Sequence, residues 1–399
     1  MLVKRHNDKF ISLKWLSASI YLLFTLFQAC HKGDMEIPLD DNEEVTITFS
    51  ATLPKMLGGL KTYAFNDVEE TELKDVDVLI YLADGSDWKF HYRTVGKIGS
   101  VSPTGNGGGT VEIEVKLWKT QVNSRLVILA NARQQLNAYP FVAGELLTVL
   151  QENLVYELGE GERWLANLDG ATDSYMPLPM WAEYTIADGI NEGTTILPGH
   201  ITLLQSLARV DIVAEAVAAD FTLDRVYVFN SNRNGLIVPG VNPTHPSLPL
   251  VLLRNDNDVL DYEVITGNKL EGEIYLFEAD AGTGNGIFPP DPDATALVIE
   301  GRFDGNTTPY FYRIDFKDVG NTTLIPLLRN YQYRVNITTA NYAGGGETNK
   351  EEAFGAASLN RISFAPHGGF AKHPEATRDP FAVRTEDISY TISAIDENK

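Results

Sequence analysis

The sequence predicts an all-β protein made of antiparallel β-sandwiches, with one or two short helices. Three observations carry that prediction. Beyond residue 44, apolar and polar residues alternate with a period of two in one stretch after another, the pattern of a strand with one buried face. Turn chemistry separates these stretches: Asn242-Pro243, Gly284-Asn-Gly286, Pro289-Pro290 and Asp304-Gly305. No strand-helix-strand rhythm of the kind that builds a parallel sheet is present.

Taken in chain order, the first element is an export signal. Lys4, Arg5, Lys9 and Lys14 form a positive region, and Trp15 to Phe27 an apolar stretch. That stretch is shorter than the ~20 residues a bilayer span requires. Gln28, Ala29 and Cys30 follow, and Cys30 is the chain's one cysteine, so no internal disulfide is expected. A small residue before a lone cysteine resembles the bacterial lipoprotein box. In that box the thiolate takes a diacylglyceryl group and cleavage makes the cysteine the new N-terminus. Residues 1–29 therefore read as a lipoprotein signal peptide, Cys30 as the lipid-attachment site, and residues 30–44 as an acidic tether.

The body of the chain opens with Val45, Ile47, Phe49, Ala51 and Leu53 alternating against threonines and a serine. Val76–Leu82 reads as a more fully buried strand, Val111–Leu117 alternates with glutamates and a lysine, and Leu126–Ala130 is all apolar. Leu146, Leu147, Leu150 and Leu154 share one face of a helix. Further strands are expected at Val210–Ala214, Arg225–Phe229, Glu273–Phe277, Leu297–Gly301, Tyr310–Phe316 and Tyr331–Ile337, with two late pieces at Arg361–Ala365 and Ile388–Ile395. A faint echo between the pair Val45–Leu53, Leu73–Asp84 and the pair Ala208–Ala216, Phe221–Asn230 suggests two tandem units. The expected division is 45–198 for an N-terminal sandwich, 199–340 for a C-terminal sandwich and 341–399 for an extension with candidate donor or capping strands.

Composition excludes some functions. With 32 basic and 54 acidic side chains the formal charge is −22, the wrong sign for neutralising the phosphates of a nucleic acid or for a polybasic membrane patch. No Gly-x-Ser-x-Gly elbow, His-Glu-x-x-His helix or phosphate-cradling Gly-Lys-Ser/Thr loop occurs. No catalytic residue, cofactor or metal is therefore expected. His367 and His373 lie near each other in a Gly/Pro-rich segment, and Asp256, Asp258 and Asp261 are spaced somewhat like calcium ligands but lack the turn glycine of an EF-hand loop.

Four segments, in order, resemble one family, the fimbrillins of Bacteroidales, which include fimbrial shaft, tip and anchor subunits. Arg125-Leu-Val-Ile-Leu-Ala-Asn131 resembles the family's apolar strand ending in Ala-Asn. Leu178-Pro-Met-Trp-Ala-Glu183 is similar to its Pro-Met-Ser-Gly-Glu segment, with Trp181 and Ala182 in place of Ser and Gly. Leu204-Gln-Ser-Leu-Ala-Arg-Val-Asp211 is similar to its Leu-x-Arg-x-Val-Ala-Lys-Val strand, and Arg329-Asn-Tyr-Gln-Tyr-Arg-Val-Asn-Ile-Thr338 to its Arg-Asn-x-x-Tyr-x-Val-x-Ile-Thr strand. The resemblance implies two transthyretin-like sandwiches and a non-catalytic, lipid-anchored component of an outer-membrane, cell-surface fimbrium. Its implied partners are other fimbrial subunits joined by strand exchange, the outer-membrane lipid and a host or bacterial surface ligand. Shaft subunits of the family lose their first strand to a trypsin-like protease, and the vacated groove takes a strand from a neighbour. Here Val45–Leu53 is the strand at risk, expected at a sheet edge, and Ile388–Ala394 is a candidate donor. No arginine lies between His31 and Tyr92, so Lys55 and Lys61 are the candidate processing sites. Either a Lys-directed protease acts there, or the strand and its lipid are kept. The alternative expectation is a surface lipoprotein that binds glycans or host proteins outside a fimbrium.

Overall fold

The computed structural model describes residues 43–53, 72–104, 108–165, 176–214, 221–240, 245–255, 259–264, 267–282, 291–303, 307–317, 323–341, 346–356, 362–363 and 384–393. The chain divides into Met1–Glu43 and Glu44–Lys399, and every element below belongs to the second unit. Among the described residues no helix is long and apolar enough to cross a membrane.

The first half carries β1 (Glu44–Leu53), β2 (Val76–Asp84), β3 (Asp87–Thr104), β4 (Gly108–Trp118), β5 (Ser124–Ala130), helices α1 (Arg133–Ala138) and α2 (Leu147–Asn153), β6 (Val155–Glu157), β7 (Met180–Ile186), β8 (Ile196–Thr202) and β9 (Leu204–Gln205). Eight of these strands form one sheet in the order β8-β1-β4-β3-β2-β5-β7-β9. The sheet doubles over at β3. The first part of that long strand pairs with β2, from Asp87↔Asp84 to Gly96↔Val76, and the second with β4, from Lys97↔Glu114 to Thr104↔Gly108. The corner needs glycine. A Cβ on Gly96 would stand 3.0 Å from both Ile113 Cγ2 and Val76 Cγ1, and one on Gly99 2.9 Å from the Glu112 carbonyl oxygen. With the sheet folded this way, the alternating residues of β1 and β4 face Val76, Val78 and Ile80 of β2 and Leu126 and Ile128 of β5 in one core. The opposite face of β2, β5 and β7 is covered by the helices, through Leu136, Leu147 and Leu150.

The second half carries β10 (Ala208–Ala214), β11 (Phe221–Phe229), β12 (Asn234–Leu236), β13 (Leu260–Glu263), β14 (Lys269–Leu276), β15 (Ala296–Phe303), β16 (Tyr310–Asp315), β17 (Tyr331–Asn341), α3 (Lys350–Gly355), β18 (Ile362–Ser363) and β19 (Arg384–Ser393). Sheets β14-β10-β17-β19-β18 and β13-β11-β15-β16 pack face to face. Val210, Ile212, Ile274 and Val335 come from one, and Val226, Val228, Leu297 and Ile314 from the other. Helix α3 lies outside this sandwich, its Phe354 stacked on Phe229 at 4.4 Å. Asn349 caps it by accepting from Glu352 N at 2.8 Å.

The expected all-β sandwich architecture is the one observed. The sequence echo also has a topological counterpart. β1 lies between an antiparallel neighbour, β4, and a parallel one, β8. β10 lies between antiparallel β14 and parallel β17. Their successors β2 and β11 each sit between two antiparallel partners. Three helices are described where one or two were expected. α1 and α3 have six residues each, too few turns to print a periodicity.

Candidate strand-exchange groove

β1 is the element on which the sequence placed most functional weight, and its setting differs from expectation. It is not an edge strand. β8 forms the edge, and β1 runs one place in, paired with β4 at every residue from Glu44↔Trp118 to Leu53↔Gly109. On its other side it pairs in parallel with β8 around a register shift between Thr48 and Ser50, where Thr48 N donates to Thr195 O at 2.9 Å. Sequence reasoning missed β8 because it has no apolar alternation, and Ile196 is 74% exposed.

The inward face of β1 is fully committed. Val45 is 7% exposed, and Ile47, Phe49, Ala51 and Leu53 are 0–1% exposed. Burying the Val, Ile, Phe and Leu side chains contributes roughly 8 kcal/mol, at about 2 kcal/mol each. The outward face is lightly held. Glu44 meets Lys116 at 3.5 Å, an exposed pair, and Ser50 Oγ lies 3.0 Å from His200 Nδ1. β1 is thus a ten-residue plug. It is held by two ladders and five inward side chains, between strands that would each present unpaired N–H and C=O groups without it.

Cys30, Lys55 and Lys61 lie outside the described residues, as do Asp256, Asp258, His367 and His373. Asp261, the remaining member of the calcium-like spacing, is engaged by Arg225 Nη1 at 3.0 and 3.1 Å. Among the described residues no group of three or more His, Cys, Asp or Glu side chains is placed to hold a metal ion. At the other end of the chain, β19 runs parallel to β17 from Tyr331↔Arg384 to Asn341↔Ser393 and antiparallel to the short β18. The candidate donor segment is therefore laid against the chain's own sheet.

The four segments behind the family resemblance fall at joints of the fold. Asn131, at φ 56°, ends β5 in the left-handed region that asparagine tolerates. Its Nδ2 donates to the Glu72 and Leu178 carbonyls, and its Oδ1 accepts from Lys74 N at 2.8 Å. It thereby ties together the entry to β2, the end of β5 and the approach to β7. Arg329 is 8% exposed. It grips Glu278 Oε2 through Nε at 2.8 Å and Nη2 at 2.6 Å, and donates to the Leu236 and Ile237 carbonyls at 2.7 and 3.0 Å. Asn330, again left-handed at φ 61°, accepts from Gln205 N at 3.1 Å and donates its own N–H to Leu207 O. The Arg-Asn pair thus links the start of β17 to the ends of β9 and β12 and the residues just after them. Asp211, fully buried in β10, accepts from Arg209 Nε at 2.8 Å, Gly272 N at 2.7 Å and the Gln332 side-chain amide. Asn131, Arg329, Asn330 and Asp211 each have hydrogen-bond partners and hold the fold together at these joints.

No protein-family model and no curated protein sequence matches the chain. Solved structures do resemble it. The tip fimbrial protein Mfa3 from Porphyromonas gingivalis, with a C-terminal truncation, is 13% identical over 75% of this chain and 96% of its own, with a TM-score of 0.49. A putative cell adhesion protein from Bacteroides eggerthii is 15% identical over 89% of this chain and 98% of its own, with a TM-score of 0.42. A fimbrial assembly protein from Parabacteroides distasonis is 13% identical over 74% of this chain and 92% of its own, with a TM-score of 0.41. The solved folds to which this chain is similar are those of Bacteroidales fimbrial and cell-adhesion proteins.

Proposed function

We propose that this chain is a non-catalytic, lipid-anchored subunit of a cell-surface fimbrium that joins its neighbours by β-strand exchange. The observation that carries the reading is β1. It follows directly on the tether, fills a slot between two strands and is flanked on its C-terminal side by Lys55 and Lys61. Withdrawing such a strand opens a slot whose two walls already have the spacing and polarity to bind a strand from another chain. The lone Cys30 behind a signal-like stretch supports export on a lipid to the outer surface. The division at 198–199 and the extension from 341 belong to this reading: two sandwiches and a C-terminal segment whose strand, Ile388–Ala394, is the candidate donor.

Processing decides which role the subunit plays. Cleavage after Lys55 or Lys61 gives a mature N-terminus at Met56 or Thr62 and a subunit able to accept a donor. An unprocessed chain begins at lipidated Cys30, keeps β1 and serves as a base or anchor. Mass spectrometry of the N-terminus from isolated outer membranes and from sheared filaments tests both. A start at any other position, or filaments and adhesion unchanged on deletion of the gene, overturns the proposal.

A further inference from the structure

We infer that a cavity on the helix-covered face of β5 and β7 is a binding site for an uncharged sugar ring. This inference is independent of the strand-exchange reading, because β1 belongs to the core on the opposite face of those strands.

The cavity forms where the helices stop covering the sheet. β5 and β7 send Arg125, Trp181 and Glu183 to this face, in the alternate positions between the core residues Leu126, Met180 and Ala182. β3 adds Trp88, and α2 closes one side with Thr148 and Gln151. The resulting volume is about 380 Å³, within the ~300–1,000 Å³ range of small-molecule sites.

The polar groups are incompletely used by the protein itself. Arg125 Nη1 and Glu183 Oε2 approach only to 3.4 Å, and the two side chains remain 28% and 18% exposed. Arg125 Nε and Glu183 Oε1 are buried with no hydrogen-bond partner. Leaving such an atom unsatisfied is unfavourable. Burial pushes the Glu183 carboxyl up, against the opposing pull of Arg125, as expected of a carboxylate whose ion pair is poorly made.

Charge and shape select the ligand class. An anion faces Glu183 and Asp87, and a cation faces Arg125, whose guanidinium already stacks on the Trp88 ring at 4.3 Å. A neutral molecule that both donates and accepts meets neither penalty. The hydroxyls of a sugar donate to the carboxylate and to the Gln151 amide oxygen and accept from the guanidinium. The C–H face of the ring suits an indole wall.

Saturation-transfer NMR on the full-length chain in detergent tests this with four probes, the methyl glycosides of glucose, galactose, mannose and N-acetylglucosamine, and with choline as a cationic control. Transfer is expected to at least one glycoside. It should disappear in Thr148→Trp, which plugs the cavity from an exposed helix position and leaves the core untouched. In Trp88→Ala the affinity should fall about tenfold. No transfer to any of the four glycosides, transfer to choline alone, or glycoside transfer that survives Thr148→Trp overturns the proposal.

Discussion

Arg329 shows how much a single side chain can hold. Its five-donor fork is divided between the Glu278 carboxylate and the carbonyls of Leu236 and Ile237 at the end of β12, with almost no solvent. Arg329→Met leaves Glu278 buried without its counter-charge, and a loss of about 3–5 kcal/mol is expected in a denaturant titration. Lys116→Ala breaks only the exposed pair with Glu44 and should leave the same titration unchanged within error. His91 offers a different readout. Its ring lies half-buried against Tyr92 and Trp118, and burial holds its pKa below the ordinary 6.5. The unfolded chain therefore takes up a proton before the native one does, and stability falls as pH drops below 6.5 toward the lower native value. His91→Gln should flatten that part of the stability–pH curve, and an unchanged slope would refute the assignment.

Among the elements, the strands that alternate or run continuously apolar were legible, and those with neither pattern were invisible. β1, β4 and β11 print one apolar face onto the sequence, and Leu147 and Leu150 of α2, with Leu154 just beyond it, do the same at helical spacing, while Leu146 of the expected stripe is exposed. β3 prints no clean alternation, because nearly all of its described side chains are half-buried or exposed and its corner is made with glycines that a pattern search reads as turn. β8 was hidden because it is mostly exposed, and β9 because two residues, though buried, are too few to print a period. The place of β1 in its sheet depends on β8, so the groove could be guessed as one strand but not as a slot with two walls. The packing of that strand is open to test. Phe49→Ala removes a ring that is 1% exposed and should cost about 3–5 kcal/mol. Thr48→Ala, on the outward face, should cost little. Thermal melts of both variants decide between a plug that is integral to the core and one merely laid upon it.

At the level of the whole molecule, two sandwich cores were readable from alternation, turn spacing and the pairwise echo, whereas their connections were not. The small β6–β12 pairing, Leu236↔Val155 to Asn234↔Glu157, and the cluster of Leu158, Trp164, Leu178, Leu207, Tyr275 and Phe277 join residues far apart in sequence, and no local pattern announces them. The sugar-site residues were hidden likewise. Trp88, Arg125 and Glu183 come from three strands, and only the order of those strands brings them together. The family resemblance reached Arg125, Trp181 and Glu183 as parts of motifs, with no sign that they would share a cavity.

The direction of β1 has a mechanical consequence. Its N-terminal end lies at residue 44, and its axis is the axis of both ladders. A pull applied to that end along the strand axis loads the ten paired positions with β4 in shear instead of parting them one after another. If the chain stays on its lipid as proposed, the force of a filament dragged by flow reaches this strand before the rest of its sandwich.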